Sequence, residues 1–285
     1  MTGDRRQVTG LSCRGWSCAC PKRENDVFNL FRGDIEIMAK LFSKVFFELK
    51  ETFLDLIFPS DIYCISCQKP IFNESYSLCK SCRQKISWID DRTCSQCGKA
   101  LQSWYFPNKC SDCIQEEHYF MKGFSCVEYG ELESKLIIDF KYYGKSYYGK
   151  NIAEMMYDKL KNLHIWGDYI IPVPLHPLRE KERGYNQSHL VAEYLSHLTG
   201  IPLKTDVLKR VEYTRPQNKL SLKDRKKNLE NAFKASPNGV LIDKDILLVD
   251  DVYTTGNTVD ECSKVLIGQG VQNIYIITYA IGKNE

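Results

Sequence analysis

From residue 120 to the C-terminus, short unbroken apolar runs alternate with segments whose apolar residues recur at helical spacing. The runs predict buried strands of a parallel sheet, and the spaced segments predict helices. Predicted strands cover residues 126–129, 168–174, 202–211, 246–249 and 273–279, of which the last closes the sheet. Predicted helices cover residues 132–142, 151–163, 188–198 and 258–267. This alternation is typical of an α/β domain, which we assign to residues 119–285.

The first 59 residues form two segments with different patterns. Residues 1–37 show no apolar periodicity, and we interpret them as a disordered or wrongly assigned extension before Met38. Residues 38–59 place their apolar side chains on one side of a helix that Pro59 ends. Such a helix can lie on a membrane surface or dock a partner, although packing on its own protein is the commoner outcome.

Residues 60–118 form a separate module because they contain four Cys-x-x-Cys pairs. These cysteines are Cys64, Cys67, Cys79, Cys82, Cys94, Cys97, Cys110 and Cys113. Each pair can place two thiolates on one face of a tetrahedral Zn²⁺, so the eight thiolates suit two sites with four cysteine ligands each. The nearly equal intervals allow consecutive or interleaved pairing, and we favour consecutive sites because they need no crossing of the chain. Both sites would be closed and structural, in a module short enough to depend on zinc for its folding.

Residues 245–258 are the most informative stretch of the chain. The apolar run 246–249 ends in Asp250 and Asp251, and small, hydroxylated residues around Gly256 then lead into a helix. The free backbone N–H groups at such a helix N-terminus favour a phosphate. The paired acids repel phosphate, but they suit sugar hydroxyls or Mg²⁺-bound water. Phosphate and polyol side by side describe a ribose 5-phosphate.

Two other interpretations of this stretch are weaker. A strand that ends in two acids also occurs in Walker B elements, but those require a glycine-rich phosphate loop elsewhere. The one candidate, Gly144-Lys145-Ser146, has Asp139 where the first glycine should be. An ordinary strand–helix unit with surface acids would leave the Thr-Thr-Gly-Asn-Thr sequence unexplained.

A second loop, residues 175–187, should open at the same edge of the sheet because it also follows a strand. Arg179, Arg183 and the backbone near Gly184 could meet a pyrophosphate there. We interpret His176, which is flanked by prolines, as shaping the loop rather than as catalytic. The polar connection 213–226 has the form of a mobile lid.

Charge and composition narrow the class of protein. The chain balances 39 basic against 36 acidic residues, although a basic segment, 204–234, precedes the acidic pair. This order suggests a polyanion or its metal complex held between them, while a solvated charged face explains the basic segment equally well. No apolar run is long enough for a membrane span, and no secretory signal pattern is present. We therefore expect a cytoplasmic protein, in which 13 cysteines indicate metal rather than disulfides.

Several separated motifs together resemble a known family. They are the four Cys-x-x-Cys pairs, Phe140-Lys-Tyr-Tyr-Gly, Pro172-Val-Pro-Leu-His-Pro-Leu-Arg, Arg183-Gly-Tyr-Asn-Gln, Arg215-Pro-Gln with Arg225, and Val249-Asp-Asp-Val-Tyr-Thr-Thr-Gly. The last is similar to the phosphoribosyl pyrophosphate motif of type I phosphoribosyltransferases. As a set, over about residues 50–285, they resemble the ComF family of competence-associated, phosphoribosyltransferase-like proteins.

The resemblance implies a type I phosphoribosyltransferase fold, which is a Rossmann-like parallel sheet with helices on both faces, preceded by a small Cys-rich double zinc ribbon. It implies that Asp250 and Asp251 take the ribose hydroxyls and the Mg²⁺ shell, and that Arg183 contacts pyrophosphate. The residues implied for the 5-phosphate are Thr254, Thr255, Gly256, Asn257 and Thr258. Arg215 and Lys219 would come from the lid.

The implied ligand is phosphoribosyl pyrophosphate with Mg²⁺, and the implied role lies in DNA uptake during natural competence. We expect a phosphoribosyltransferase, although the motifs name no acceptor. The alternative is a non-catalytic accessory protein that binds single-stranded DNA with the same fold. A competence helicase or other DNA-uptake proteins are the expected partners.

Overall fold

The computed structural model describes residues 62–90, 92–101, 108–213, 231–237 and 239–283, together with positions 45, 49, 53 and 229. The chain divides into two compact units, Met1–Ile57 and Phe58–Glu285. In the first unit, Val45, Leu49 and Phe53 are helical and exposed. The interpretation of residues 1–37, and most of the predicted helix 38–59, lie outside the described residues.

The second unit is built on a sheet of four parallel strands. The strands are β1 (Lys122–Glu128), β2 (Tyr169–Pro172), β5 (Asp245–Tyr253) and β6 (Asn273–Ile281). They lie in the order β1-β6-β5-β2. A separate antiparallel pair consists of β3 (Leu208–Arg210) and β4 (Phe233–Ala235).

Helices precede and follow these strands. In the Cys-rich module they are α1 (Lys80–Lys85) and α2 (Ser111–Gln115), and in the α/β domain they are α3 (Glu131–Tyr142), α4 (Tyr148–Leu163), α5 (Pro177–Arg183), α6 (Gln187–Thr199) and α7 (Asn257–Ile267). Short 3-10 helices cover Ser75–Ser77 and Gly239–Leu241. Within the described residues, no helix has the length and apolar character needed to cross a bilayer.

The structure corrects three expectations drawn from the apolar pattern. The strand predicted over 202–211 is reduced to β3 and one bridge from Leu203 to Ile170, since Pro202 cannot donate to a ladder. The second loop contains a helix, α5, which Pro177 starts and Gly184 ends. The last strand, β6, lies between β1 and β5 and does not close the sheet, in agreement with its burial along most of its length.

Alternate residues of β5 divide the interior into two layers. Leu247 and Val249 pack in one layer with residues of α3, α4, α6 and the first two cysteine pairs. Ile246 and Leu248 pack in the other with residues of α7, β3, β4 and the last two cysteine pairs. The two halves of the Cys-rich module therefore pack against opposite faces of the sheet.

Candidate active site and metal centres

Residues 254–258, which comprise the turn after β5 and the first two residues of α7, are called the phosphate loop below. Gly256 has φ 83° and is the N-cap of α7, a left-handed conformation that favours glycine. A Cβ atom there would overlap the Tyr253 side chain, so glycine is required for space as well. The Thr255 hydroxyl is buried without a hydrogen-bond partner among the described residues. Such a hydroxyl, beside the free N–H groups of α7, is suited to an anion.

The acidic pair lies where β5 reaches the carboxyl edge of the sheet. Asp250 Oδ1 accepts hydrogen bonds from Ser188 Oγ at 2.8 Å and from the backbone N–H of Asp251 at 2.9 Å. The Lys141 ammonium, from α3, lies 2.8 Å and 3.0 Å from the two carboxylate oxygens of Asp251. The pair is therefore held by groups from α6 and α3.

Burial and these contacts shift the pKa values of Asp250 and Lys141. Burial, together with the Asp251 carboxylate, raises the pKa of Asp250 to about 7, and the Ser188 hydrogen bond and the Lys141 ammonium offset part of this effect. Burial lowers the pKa of Lys141, but the Asp251 carboxylate outweighs burial and raises it overall. The site thus combines the Lys141–Asp251 ion pair with a neighbouring carboxyl group, Asp250, whose raised pKa lets it exchange a proton near neutral pH.

The second loop reaches the same edge, as predicted. Arg183 Nη1 donates to Gln187 Oε1 at 3.0 Å, and Nη2 donates to the Tyr142 hydroxyl at 3.1 Å. The guanidinium also lies 4.8 Å from the centre of the Tyr142 ring. Its positive charge opposes part of the rise in the pKa of Lys141 that Asp251 causes. Arg183 and Lys141 are therefore neighbouring cations of the site.

Helix caps hold the second loop in position. His176 Nδ1 accepts from the N–H of Leu178 at 3.3 Å and caps α5, which agrees with a shaping role. Asn186 accepts from the N–H of Ser188 and caps α6, while its amide donates to the Val173 carbonyl at 3.1 Å. Ser188 is thereby placed at the start of α6, within reach of Asp250.

The eight cysteines gather as two clusters, which we call the first cluster (Cys64, Cys67, Cys79 and Cys82) and the second cluster (Cys94, Cys97, Cys110 and Cys113). In each cluster the sulfur atoms all lie within 4.8 Å of one another. Two contacts, 3.7 Å in the first cluster and 3.5 Å in the second, are near the ~3.8 Å edge of a tetrahedron with Zn–S bonds of about 2.3 Å. The donor sets fit two structural zinc ions, and the grouping is the consecutive one.

The two clusters differ in exposure and surroundings. Cys67 is exposed and Cys79 is half-buried, whereas all four cysteines of the second cluster are buried. In both, a backbone N–H of the later pair donates to a sulfur of the earlier pair, at 3.4 Å to Cys64 and 3.3 Å to Cys94. Cys126 and Cys262 lie apart from the clusters and are buried and free, as a small apolar side chain permits.

Sequence reasoning missed Lys141 and Ser188 as members of the site. Lys141 lies 110 residues from Asp251, and its motif, Phe140-Lys-Tyr-Tyr-Gly, served only as a family marker. A lysine in the last turn of a helix that follows the first strand was the available signal. The proposed lid residues Arg215 and Lys219 lie outside the described residues, so their role stays a prediction.

Comparisons with known proteins agree with this architecture. A family model described as "Double zinc ribbon domain" matches residues 53–114. Competence protein F of Haemophilus influenzae is 35% identical over 219 residues, which cover 75% of this chain and 94% of that protein. Competence protein ComFC of Bacillus subtilis is 28% identical and covers 68% of this chain and 79% of its own length.

A purine phosphoribosyltransferase from Pyrococcus horikoshii is a solved structure with 22% identity, a TM-score of 0.31 and coverage of 50% of this chain and 75% of its own. The predicted architecture is confirmed: an α/β domain with a parallel sheet follows a double zinc ribbon. With 35% identity to competence protein F across three quarters of its length, the chain belongs to the ComF family.

Proposed function

We propose that the carboxyl edge of the sheet binds phosphoribosyl pyrophosphate with Mg²⁺, in a protein that takes part in DNA uptake. The observation that carries this proposal is the direct succession of the acidic pair, the Gly256 turn and the N-terminus of α7. Acceptors for hydroxyl groups and N–H donors suited to an anion are therefore a few residues apart, which supports the proposal. The competence proteins among its relatives support the association with DNA uptake.

The proposal assigns the ribose hydroxyls, the 5-phosphate and the pyrophosphate of this ligand to different residues. The Asp250 and Asp251 carboxylates accept the ribose hydroxyls, and the phosphate loop, residues 254–258, holds the 5-phosphate. Lys141 and Arg183 face the pyrophosphate, with Arg215 and Lys219 added from the lid. Mg²⁺ bound with this ligand would supply further positive charge to the phosphate oxygens.

Transfer of the phosphoribosyl group would use the same arrangement. As pyrophosphate leaves, C1 of the ribose becomes positively charged, and the Arg183 guanidinium and the Lys141 ammonium stabilise the departing anion. This chemistry needs no side-chain nucleophile, and none is proposed. An acceptor that enters from the α3 side would meet Tyr142, whose exposed ring lies beside the Arg183 guanidinium.

A second candidate function is binding of single-stranded DNA without chemistry, which the competence relatives favour. DNA would be held by Lys and Arg side chains of the Cys-rich module and of residues 204–227, and the second of these segments is strongly basic. The acidic pair repels a DNA backbone. The acidic pair therefore serves only the first of these functions, and one pair of substitutions there separates the two.

The test is the double variant Asp250→Asn, Asp251→Asn, which keeps the shape of both side chains and removes their charge. Losing two charge-assisted hydrogen bonds should weaken Mg²⁺-dependent phosphoribosyl pyrophosphate binding by about 3–6 kcal/mol, which is 100-fold or more in Kd by calorimetry. The matched control, Asp206→Asn with Asp243→Asn, removes two exposed carboxylates and should bind as the wild type does.

Single-stranded DNA, measured by fluorescence anisotropy on the same variants, should bind equally well or slightly better when Asp250 and Asp251 are neutral. Unchanged affinity of that variant for phosphoribosyl pyrophosphate would overturn the proposed ligand site. A parallel loss of both affinities with intact circular dichroism would show that one site serves both ligands.

A further inference from the structure

A buried histidine joins the second cluster to the helix of the phosphate loop. His118 Nε2 lies 3.4 Å from Cys113 Sγ, and Nδ1 lies 2.6 Å from Asp260 Oδ2. The other carboxylate oxygen of Asp260 accepts the backbone N–H of Tyr119 at 3.0 Å. The side chain of His118 is only 2% exposed, and that of Asp260 only 15%. Asp260 stands in the first turn of α7, so the metal centre and the phosphate loop share one chain of polar contacts.

A second set of contacts, most of them between aromatic rings, also connects the second cluster to the phosphate loop. Gln96, which stands between two cysteines of the second cluster, donates to the carbonyl of Phe120 at 2.6 Å. The Phe120 ring stacks on His118 and meets the Tyr253 ring edge-on at 6.2 Å. Tyr253 is buried, and its side chain fills the space that a Cβ on Gly256 would take. Gly256 of the phosphate loop therefore contacts Tyr253, and Tyr253 packs against Phe120, which contacts the second cluster through Gln96.

The first cluster has its contacts elsewhere. Lys135 of α3 donates to the Ser66 carbonyl at 3.0 Å, and Tyr148 of α4 donates to the Ile65 carbonyl at 2.6 Å. These contacts lie in the layer on the opposite face of the sheet from α7. The two metal centres thus support different parts of the domain.

We propose that His118 and Asp260 are positioning residues that make the phosphate loop depend on metal in the second cluster. Zinc at the second cluster would hold the Cys113 sulfur in place, Cys113 and Asp260 fix His118 between them, and His118 in turn holds the first turn of α7. Without the metal, nothing ties the four sulfur atoms together beside this contact, and the turn that presents the N–H groups is held less firmly. This inference rests on the proposed function, since phosphate binding is the property that the metal would control.

The first test compares three variants with the wild type: His118→Gln, Asp260→Asn, and the double variant that carries both substitutions. Because the two residues act as one contact, each variant should weaken Mg²⁺-dependent phosphoribosyl pyrophosphate binding about 5-fold or more, and the double variant no further than the stronger single. Removing a negative charge near a bound phosphate would by itself strengthen binding. A tighter Asp260→Asn variant would therefore overturn the proposal, as would full affinity in His118→Gln.

The matched control is Tyr148→Phe, which removes the hydrogen bond from α4 to the Ile65 carbonyl beside the first cluster. Hydrogen exchange without any ligand should speed up at residues 254–260 in His118→Gln and stay unchanged there in Tyr148→Phe. Zinc analysis should return two ions for every variant, so that a change in the loop reflects the lost contact. Unchanged exchange at residues 254–260 in His118→Gln would refute the coupling even if the protein binds no phosphoribosyl pyrophosphate.

A spectroscopic measurement distinguishes a transmitted effect from general loosening. In the protein loaded with Co²⁺ instead of zinc, phosphoribosyl pyrophosphate should shift the visible ligand-field bands. The reason is that Cys113 would bind the metal of the second cluster and contacts His118, which in turn contacts Asp260 in the first turn of α7. His118→Gln should abolish this shift, and Tyr148→Phe should retain it. Wild-type protein that binds no phosphoribosyl pyrophosphate counts against the proposed function, whereas wild-type protein that binds it without any shift counts against this inference.

Discussion

Replacing Lys141 by methionine should destabilise the α/β domain, because the change leaves the Asp251 carboxylate beside Asp250 without its cation. Methionine keeps most of the length and apolar character of the lysine side chain. The ammonium lies 2.8 Å from Asp251, and the two side chains are 21% and 10% exposed. The substitution therefore removes a charge from a largely buried pair and little else.

The size of the effect follows from this burial. Removing one partner of a buried ion pair typically costs 3–5 kcal/mol, and we expect about 3 kcal/mol because water still reaches the lysine end. The double variant Lys141→Met, Asp251→Asn leaves no unpaired charge, so its loss should be only about 1 kcal/mol. The pair should thus show a coupling of about 2 kcal/mol. The deficit of the single variant should shrink at low pH, where the acids can take up protons.

Urea unfolding of zinc-loaded wild type, both single variants and the double variant measures this coupling. The slope of the free energy of unfolding against urea should stay the same, which shows that only stability has changed. Lys141→Arg is the conservative control, because it keeps the charge and should lose much less. Strictly additive losses would refute the idea that Lys141 and Asp251 act as a pair.

The remaining predictions concern pH and metal. Because the pKa of Asp250 is raised to about 7, Mg²⁺-dependent phosphoribosyl pyrophosphate binding should weaken as pH falls from 8 to 6, and Asp250→Asn should flatten this dependence in calorimetry. Since the folded pKa lies above the unfolded one, this carboxyl adds stability that is present below about pH 4 and is lost as pH rises through 7. Native mass spectrometry should find two zinc ions, and a thiol reagent should release them in two phases, the first cluster before the second, because Cys67 is exposed. Modification of Cys113 as fast as Cys67 would contradict that order.

The parts of the fold that the sequence predicts well are those whose signals are local. The apolar run of β5 with its two acids and Gly256 lies within 14 residues, and the Cys-x-x-Cys pairs define their own ligand sets. Burial on both faces and thiolate spacing are strong physical constraints, so they leave a clear pattern. The strand, the turn and both clusters are where the pattern places them.

The parts that the sequence predicts poorly depend on contacts between distant residues. Lys141 meets Asp251 across 110 positions, and His118 meets Asp260 across 142. Neither pair has a spacing rule, because the register of the sheet and the packing of helices decide which side chains meet. The short helix α5 was missed for a different reason, since its charged sequence lacks an apolar stripe and its caps alone define it.

The Lys141–Asp251 pair also bears on which ligands the site can accept. For ribose hydroxyls to bind both carboxylates fully, Asp251 must share or give up its contact with the ammonium, which is unfavourable unless Lys141 gains another anion. A ribose without phosphates offers no such partner and would leave the lysine charge only partly compensated. Bound as proposed, phosphoribosyl pyrophosphate would bring hydroxyls for the acids and a pyrophosphate for Lys141 and Arg183 in one molecule, and would replace the internal pair with two external ones. The same lysine that stabilises the ligand-free acids should therefore select against sugars that lack the pyrophosphate group.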